Sequence, residues 1–164
     1  MRMPTLVVFQ LGGEHCAIRA SEVQEIVLMA SLARPPGLPS ILEGFLNLRG
    51  AATPVVRLDR LFGLPRGPSG LYTPLLILRG RPDPLALLAE RIDNVVSASD
   101  SDLKPVLAGY CFSDWTESEI WLEPESAPIH LLSRERLLLE QEQSRVAELR
   151  AIAQQHLQEL GSGS

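Results

Sequence analysis

Residues 44–64 read GFLNLRGAATPVVRLDRLFGL, and the fold turns on how this stretch is parsed. Leu46 and Leu48 fall on one face of an extended segment, with Asn47 and Arg49 on the other, because successive side chains of a strand point to opposite sides. Gly50 follows Arg49 directly and lets the chain turn or bulge there at low steric cost. Val55, Val56 and Leu58 form the next extended run. One arginine is therefore expected at a strand end, held outward between two buried strands. A cation on so rigid a base suits recognition better than catalysis, and no acid, histidine or cysteine lies beside it in sequence.

Outward from this stretch the chain reads as many short strands. Thr5–Leu11 is apolar, Gly12-Gly13 breaks it and His15–Ile18 resumes, a hairpin pattern. Ser21 with Gln24 resembles a capping box, and Val23, Ile26 and Val27 then mark one face of a short predicted helix with Glu25 on its other side. Pro35, Pro36 and Pro39 exclude regular structure from the next connection. Ser40 with Glu43 predicts a second helical turn ending at Gly44. Asp59–Gly63 reads as a helical turn with a glycine stop, and 65–70 as a mobile loop. Further strands are expected at Thr73–Leu78, Leu85–Ala89, Ile92–Val96, Leu103–Val106, Tyr110–Phe112, Ile120–Leu122 and Ile129–Leu132. Short strands at close spacing, with no long helix between them, favour small barrels over a parallel sheet. From Arg134 to Leu160 the texture changes: Leu139, Val146, Leu149, Ala153, Leu157 and Leu160 form a helical stripe without Gly or Pro. The first part of this helix should pack on the barrels; its later part is free to dock back, pair with another helix or stand in solvent. Residues 161–164 read as a disordered tail.

Composition narrows the function classes. The 164 residues suffice for one domain or two small lobes sharing a core. The formal net charge is −5, with no Lys/Arg cluster, which argues against nucleic acid as a partner. Mean hydropathy is +0.08, somewhat high, consistent with apolar surface awaiting a partner. Cys16 and Cys111 form no CxxC, so a reducing cytosol is the default. The N-terminal run is interrupted at Gln10 and reads as a buried strand rather than a secretion signal.

Chemistry-bearing constellations are weak. His15 and Cys16 are adjacent, but on a strand they face opposite ways, so His15 is poorly placed to activate the thiol, and Cys16 reads as a core residue. His15, His130 and His156 have no ligand spacing, and Asp100, Asp102, Asp114, Glu117 and Glu119 read as solvated loop acids rather than a calcium loop. The Gly/Pro-rich segment 63–70 has too few backbone donors for a phosphate cradle. No metal or cofactor is expected.

FLNLRG followed by PVVRLDRLFGLP resembles the CheW-like domain, the module that couples chemoreceptors to a histidine kinase in bacterial signalling arrays. LVVFQLGGEHCAIRASEVQEIV and LLAERIDNVVSASDSDLKPV agree with the same family, in the same order. The resemblance implies a mostly β fold of two five-stranded SH3-like barrels side by side within residues 1–140. The second barrel would take about 12–75, the first about 5–11 plus 76–138, and a long C-terminal α-helix would span 134–160. It implies a non-enzymatic cytoplasmic adaptor between a methyl-accepting chemoreceptor tip and the regulatory domain of a CheA-type histidine kinase, peripheral to a membrane only through its receptors. The matching partner-binding positions are Val23, Glu25, Ile26, Val27, Gly44, Asn47, Leu48, Arg49 and Gly50. Glu25 and Arg49 are expected to meet at the surface, with Val23, Ile26 and Val27 offering apolar contact to a receptor helix. Three features depart from the family pattern: LMASLARPPG after Val27 lacks the basic residue that the family often places just past this segment, Trp115–Glu125 is unusually acidic, and the terminal helix is long. They leave room for an auxiliary scaffold or inhibitor of a pilus-type or other chemosensory system that self-associates through that helix. A small thiol or metal enzyme is the remote alternative.

Overall fold

A computed structural model describes residues 4–64, 73–80, 84–98, 103–104, 116–120, 128–134, 137 and 140–162. The chain is mostly β. Its strands are β1 (Thr5–Leu11), β2 (Glu14–Arg19), β3 (Val23–Leu28), β4 (Leu42–Leu48), β5 (Ala51–Arg57), β6 (Pro74–Leu78), β7 (Leu85–Leu88), β8 (Arg91–Ser97), β9 (Leu103–Lys104), β10 (Thr116–Ile120) and β11 (Ile129–Leu132). A short helical turn, α1 (Leu58–Leu61), follows β5, and one long helix, α2 (Glu140–Ser162), closes the described chain. The expected strand at Tyr110–Phe112, the continuation at Trp121–Leu122, the loop at 65–70 and Cys111 lie outside the described residues.

Two sheets result. One has the order β8-β1-β2-β11-β10-β9, five longer strands with the two-residue β9 at the rim; the other is five-stranded, β3-β6-β7-β5-β4. The expected division of strands is corrected in two places. β2 belongs with β1, because Gly12 and Gly13, both at positive φ, make a two-residue turn that seats Leu11 opposite Glu14. β7 and the end of β6 belong to the five-stranded sheet, where β6 pairs with β3 and β7 bridges β6 and β5.

Alternation along the strands explains the layering. Leu6 and Val8 of β1 face a cluster with Ala17, Ile120 and Leu131 inside the first sheet, while Val7, Phe9 and Leu11 face the second sheet. In β6, Leu75 and Ile77 fill the interior of the five-stranded sheet, and Leu76 and Leu78 face back. Strands buried on both faces need continuous apolar runs, as LVVF and LLIL are. The shared cluster between the sheets also takes Leu58 and Phe62 of the α1 turn and Val146, Leu149 and Ala153 of α2.

Two predicted helices are strands. After a 3-10 turn at Ala20–Glu22, Val23–Leu28 is extended, and the register slips between Val23 and Glu25. That bulge breaks the period of two, so apolar positions 23, 26 and 27 imitate a helical stripe. Ser40 and Ile41 form a turn into β4, and Gly44 lies within that strand. Leu58 starts α1 rather than continuing the strand. Helix α2 starts at Glu140, later than the expected 134, and includes Gly161 and Ser162, which were expected in a tail. Glu119 is not a solvated loop acid: it is 4% exposed on β10, with His130 Nδ1 4.0 Å from its carboxylate. Cys16 is a core residue with no exposed surface.

Candidate functional site

The β4–β5 hairpin builds the site. Leu48 pairs with Ala51, so Arg49 and Gly50 alone make the turn, at φ 52° and 87°. Two positive φ values mark the primed turn whose twist suits a tight hairpin. Gly50 takes this backbone freely, but Arg49 does not, and a side chain in that region persists only where the surroundings hold it. Asn47 supplies one restraint: its Oδ1 accepts the Gly50 N–H at 2.8 Å.

Arg49 projects from this turn to Glu25 on β3. Nη1 donates to Oε1 at 2.8 Å and Nη2 to Oε2 at 2.5 Å, a two-pronged contact that matches a planar guanidinium to a carboxylate. The Arg49 side chain is 70% exposed and that of Glu25 24%. These hydrogen bonds hold the Glu25 carboxyl below the usual glutamate range against a smaller opposing effect of desolvation, and they raise Arg49 further. So exposed a pair contributes little to stability.

The pairing has a topological meaning. β3 and β4 are the two outermost strands of their sheet, yet Glu25 within β3 and Arg49 just past the end of β4 touch. The sheet therefore curls until its edges meet. The segment after β3 completes the approach: Ala33 and Phe45 exchange backbone hydrogen bonds at 2.9 and 2.8 Å. Gly44 makes this possible, since a Cβ there would sit 2.8 Å from the Ala33 carbonyl oxygen and 2.9 Å from Leu32 Cβ. Gly44 is thus buried and shapes the surface from beneath. Asn47, Arg49 and Gly50 are exposed, Leu48 is half-buried against the sheet interior, and so is Val27. Val23 packs toward the core between the sheets. Ile26 turns outward instead, 47% exposed beside Leu28 at 55%. The exposed apolar residues of this segment are thus alternate positions of a strand rather than one face of a helix.

Sequence reasoning missed two groups. Arg57, 3% exposed, donates to Asp59 Oδ1 at 3.2 Å and Oδ2 at 2.7 Å and lies 3.4 Å from Glu43, which Arg34 also grips. An arginine set in an apolar strand two residues before an acid, VVRLD, was the available signal. Gln154 on α2 was the other. Its Oε1 accepts the Ala52 N–H at 2.8 Å, and its Nε2 donates to the Gly50 carbonyl at 2.7 Å. Nothing in the local sequence marks it.

Among the described residues there is no group of His, Cys, Asp and Glu placed to hold a metal ion. No described helix is long and apolar enough to cross a membrane. The chain belongs to the CheW-like domain family, whose model matches residues 5–142, and with it to a class of non-enzymatic scaffold modules. It is 26% identical over 104 residues to the chemotaxis protein CheW of Bacillus subtilis, covering 63% of this chain and 67% of that one. Against the chemotaxis protein CheW of Helicobacter pylori it is 29% identical, covering 60% of this chain and 59% of that one. Matches to these relatives span about two thirds of their length or less. The scaffolding protein TtCheW from Thermoanaerobacter tengcongensis shares the fold, with a TM-score of 0.77, 21% identity, and 85% and 90% of the two chains covered.

Proposed function

We propose that the chain is a cytoplasmic adaptor of a chemotaxis-type signalling system, joining a chemoreceptor tip to the regulatory domain of a CheA-type histidine kinase. Family membership supports the class, and the chemotaxis names of the relatives support the system. The observation that carries the reading is the exposed, two-pronged Glu25–Arg49 contact on a tight turn restrained by Asn47. A contact of low stabilising value on a rigid support is suited to orienting a partner and rejecting others. Ile26 and Leu28 provide apolar area alongside it. Asn47, Leu48 and Gly50 complete the contact surface; Val23, Val27 and Gly44 support it from below. Two weak interfaces held together in an array supply avidity.

The other reading, self-association through the terminal helix, is disfavoured by the use of Val146, Leu149 and Ala153 inside the chain's own core. The test is calorimetric titration with a CheA regulatory domain and with a receptor tip. Arg49→Ala and Glu25→Ala are expected to weaken at least one of these about tenfold or more, the scale of an interface hot spot, with melting unchanged. Wild-type affinity for both partners in both variants would refute the assignment.

A further inference from the structure

We propose that Gln154 is a positioning residue for the Glu25–Arg49 surface: from α2 it fixes the backbone of the turn that presents Arg49. The partner-binding consequence rests on the function proposed above; the positioning itself does not. Gln154 lies beyond residue 142, where the family match ends.

The hydrogen-bond pattern of the hairpin creates the need. β7 runs parallel to β5 but pairs with it only at Val55–Arg57. Among the described residues, the first residues of β5 therefore have β4 on one side and no strand on the other. Leu48 and Ala51 flank the two-residue turn, so the next pair, Asn47 and Ala52, points its backbone groups away from the partner strand. The Ala52 N–H and the Gly50 C=O thus face the same open edge. A residue of a parallel strand would satisfy both at once, accepting from one and donating to the other. The Gln154 carboxamide has that donor and acceptor pair and takes that place.

The anchorage matters because of what lies between. Gly50 has its N–H held by Asn47 and its C=O held by Gln154. Arg49, adjacent and in the left-handed region, inherits its direction from this doubly held peptide. A two-pronged contact with Glu25 tolerates little rocking of the turn. The helix is itself seated by Leu149 and Ala153, both 1% exposed, and by Arg145, which donates to the Gly37 carbonyl at 3.3 Å. Gln154 is only half-buried, so replacing it removes the two hydrogen bonds without opening the core.

The test uses the full chain carrying Gln154→Met, which keeps length and apolar bulk, and Gln154→Glu, which keeps the acceptor and loses the donor. Glu25 is titrated by carboxyl NMR, amide exchange is followed at Ala52 with Val55 and Val56 as internal references, and partner affinity is measured beside Arg49→Ala. In Gln154→Met the Ala52 amide is expected to exchange about tenfold faster, the scale of one lost hydrogen bond, while Val55 and Val56 stay protected. The Glu25 midpoint should rise toward its value in Arg49→Ala, with Gln154→Glu in between. A Glu25 midpoint that stays at the wild-type value overturns the inference, whatever Ala52 does. So does wild-type partner affinity in Gln154→Met when Arg49→Ala has lost binding. If Arg49→Ala itself binds normally, the adaptor surface is wrong, and the Glu25 midpoint alone still decides the role of Gln154.

Discussion

Leu149→Ala separates a terminal helix that is part of the core from one that merely follows it. Leu149 is 1% exposed and sits in the cluster shared by both sheets, beside Val146 at 7% and Ala153 at 1%. Fully burying a leucine side chain is worth about 1.5–3 kcal/mol. Truncation to alanine in a core that relaxes only partly adds a cavity term, giving about 2–5 kcal/mol in all. For a chain of this size, a loss of about 3 kcal/mol lowers the melting temperature by roughly 6–12 °C. The same substitution on a solvated helix would be neutral or slightly stabilising, because alanine is the better helix former. The sign and the size both discriminate. Urea unfolding should show a lower midpoint at unchanged slope, while Ile152→Ala, at a position 42% exposed on the same helix, should change stability by less than about 0.5 kcal/mol. Equal, small effects of the two substitutions would refute the docked helix, and with it the seat from which Gln154 acts.

Two further outcomes are expected. Arg57→Met should destabilise by about 3–5 kcal/mol, since it leaves the buried Asp59 carboxylate without its guanidinium; pairing it with Asp59→Leu should recover much of the loss in urea unfolding. Glu25 should titrate below an ordinary glutamate because Arg49 hydrogen-bonds its carboxylate. A lowered folded-state value means that its small contribution to stability is complete above the unfolded pKa and is lost as the pH falls through the folded one; carboxyl NMR of wild type and Arg49→Ala checks the direction.

Local sequence determined much of this protein. Period-two alternation through Leu46–Leu48, the glycine turns at 12–13 and at 50, and the unbroken apolar runs of β1 and β6 are readable because each depends on neighbours a few residues away. The meeting of Glu25 and Arg49 came from resemblance to a family, since no local rule brings two sheet edges together. Where tertiary pairing overrode the local pattern, the local reading failed. The bulge after Val23 gave a strand the spacing of a helix, and it is defined only by pairing with β6. The membership of β6 and β7 was settled by ladders to strands distant in sequence. The grip of Gln154 on Ala52 spans 102 positions. A carboxamide on a helix looks like any other polar surface residue until folding delivers it to a strand edge with an N–H and a C=O to satisfy.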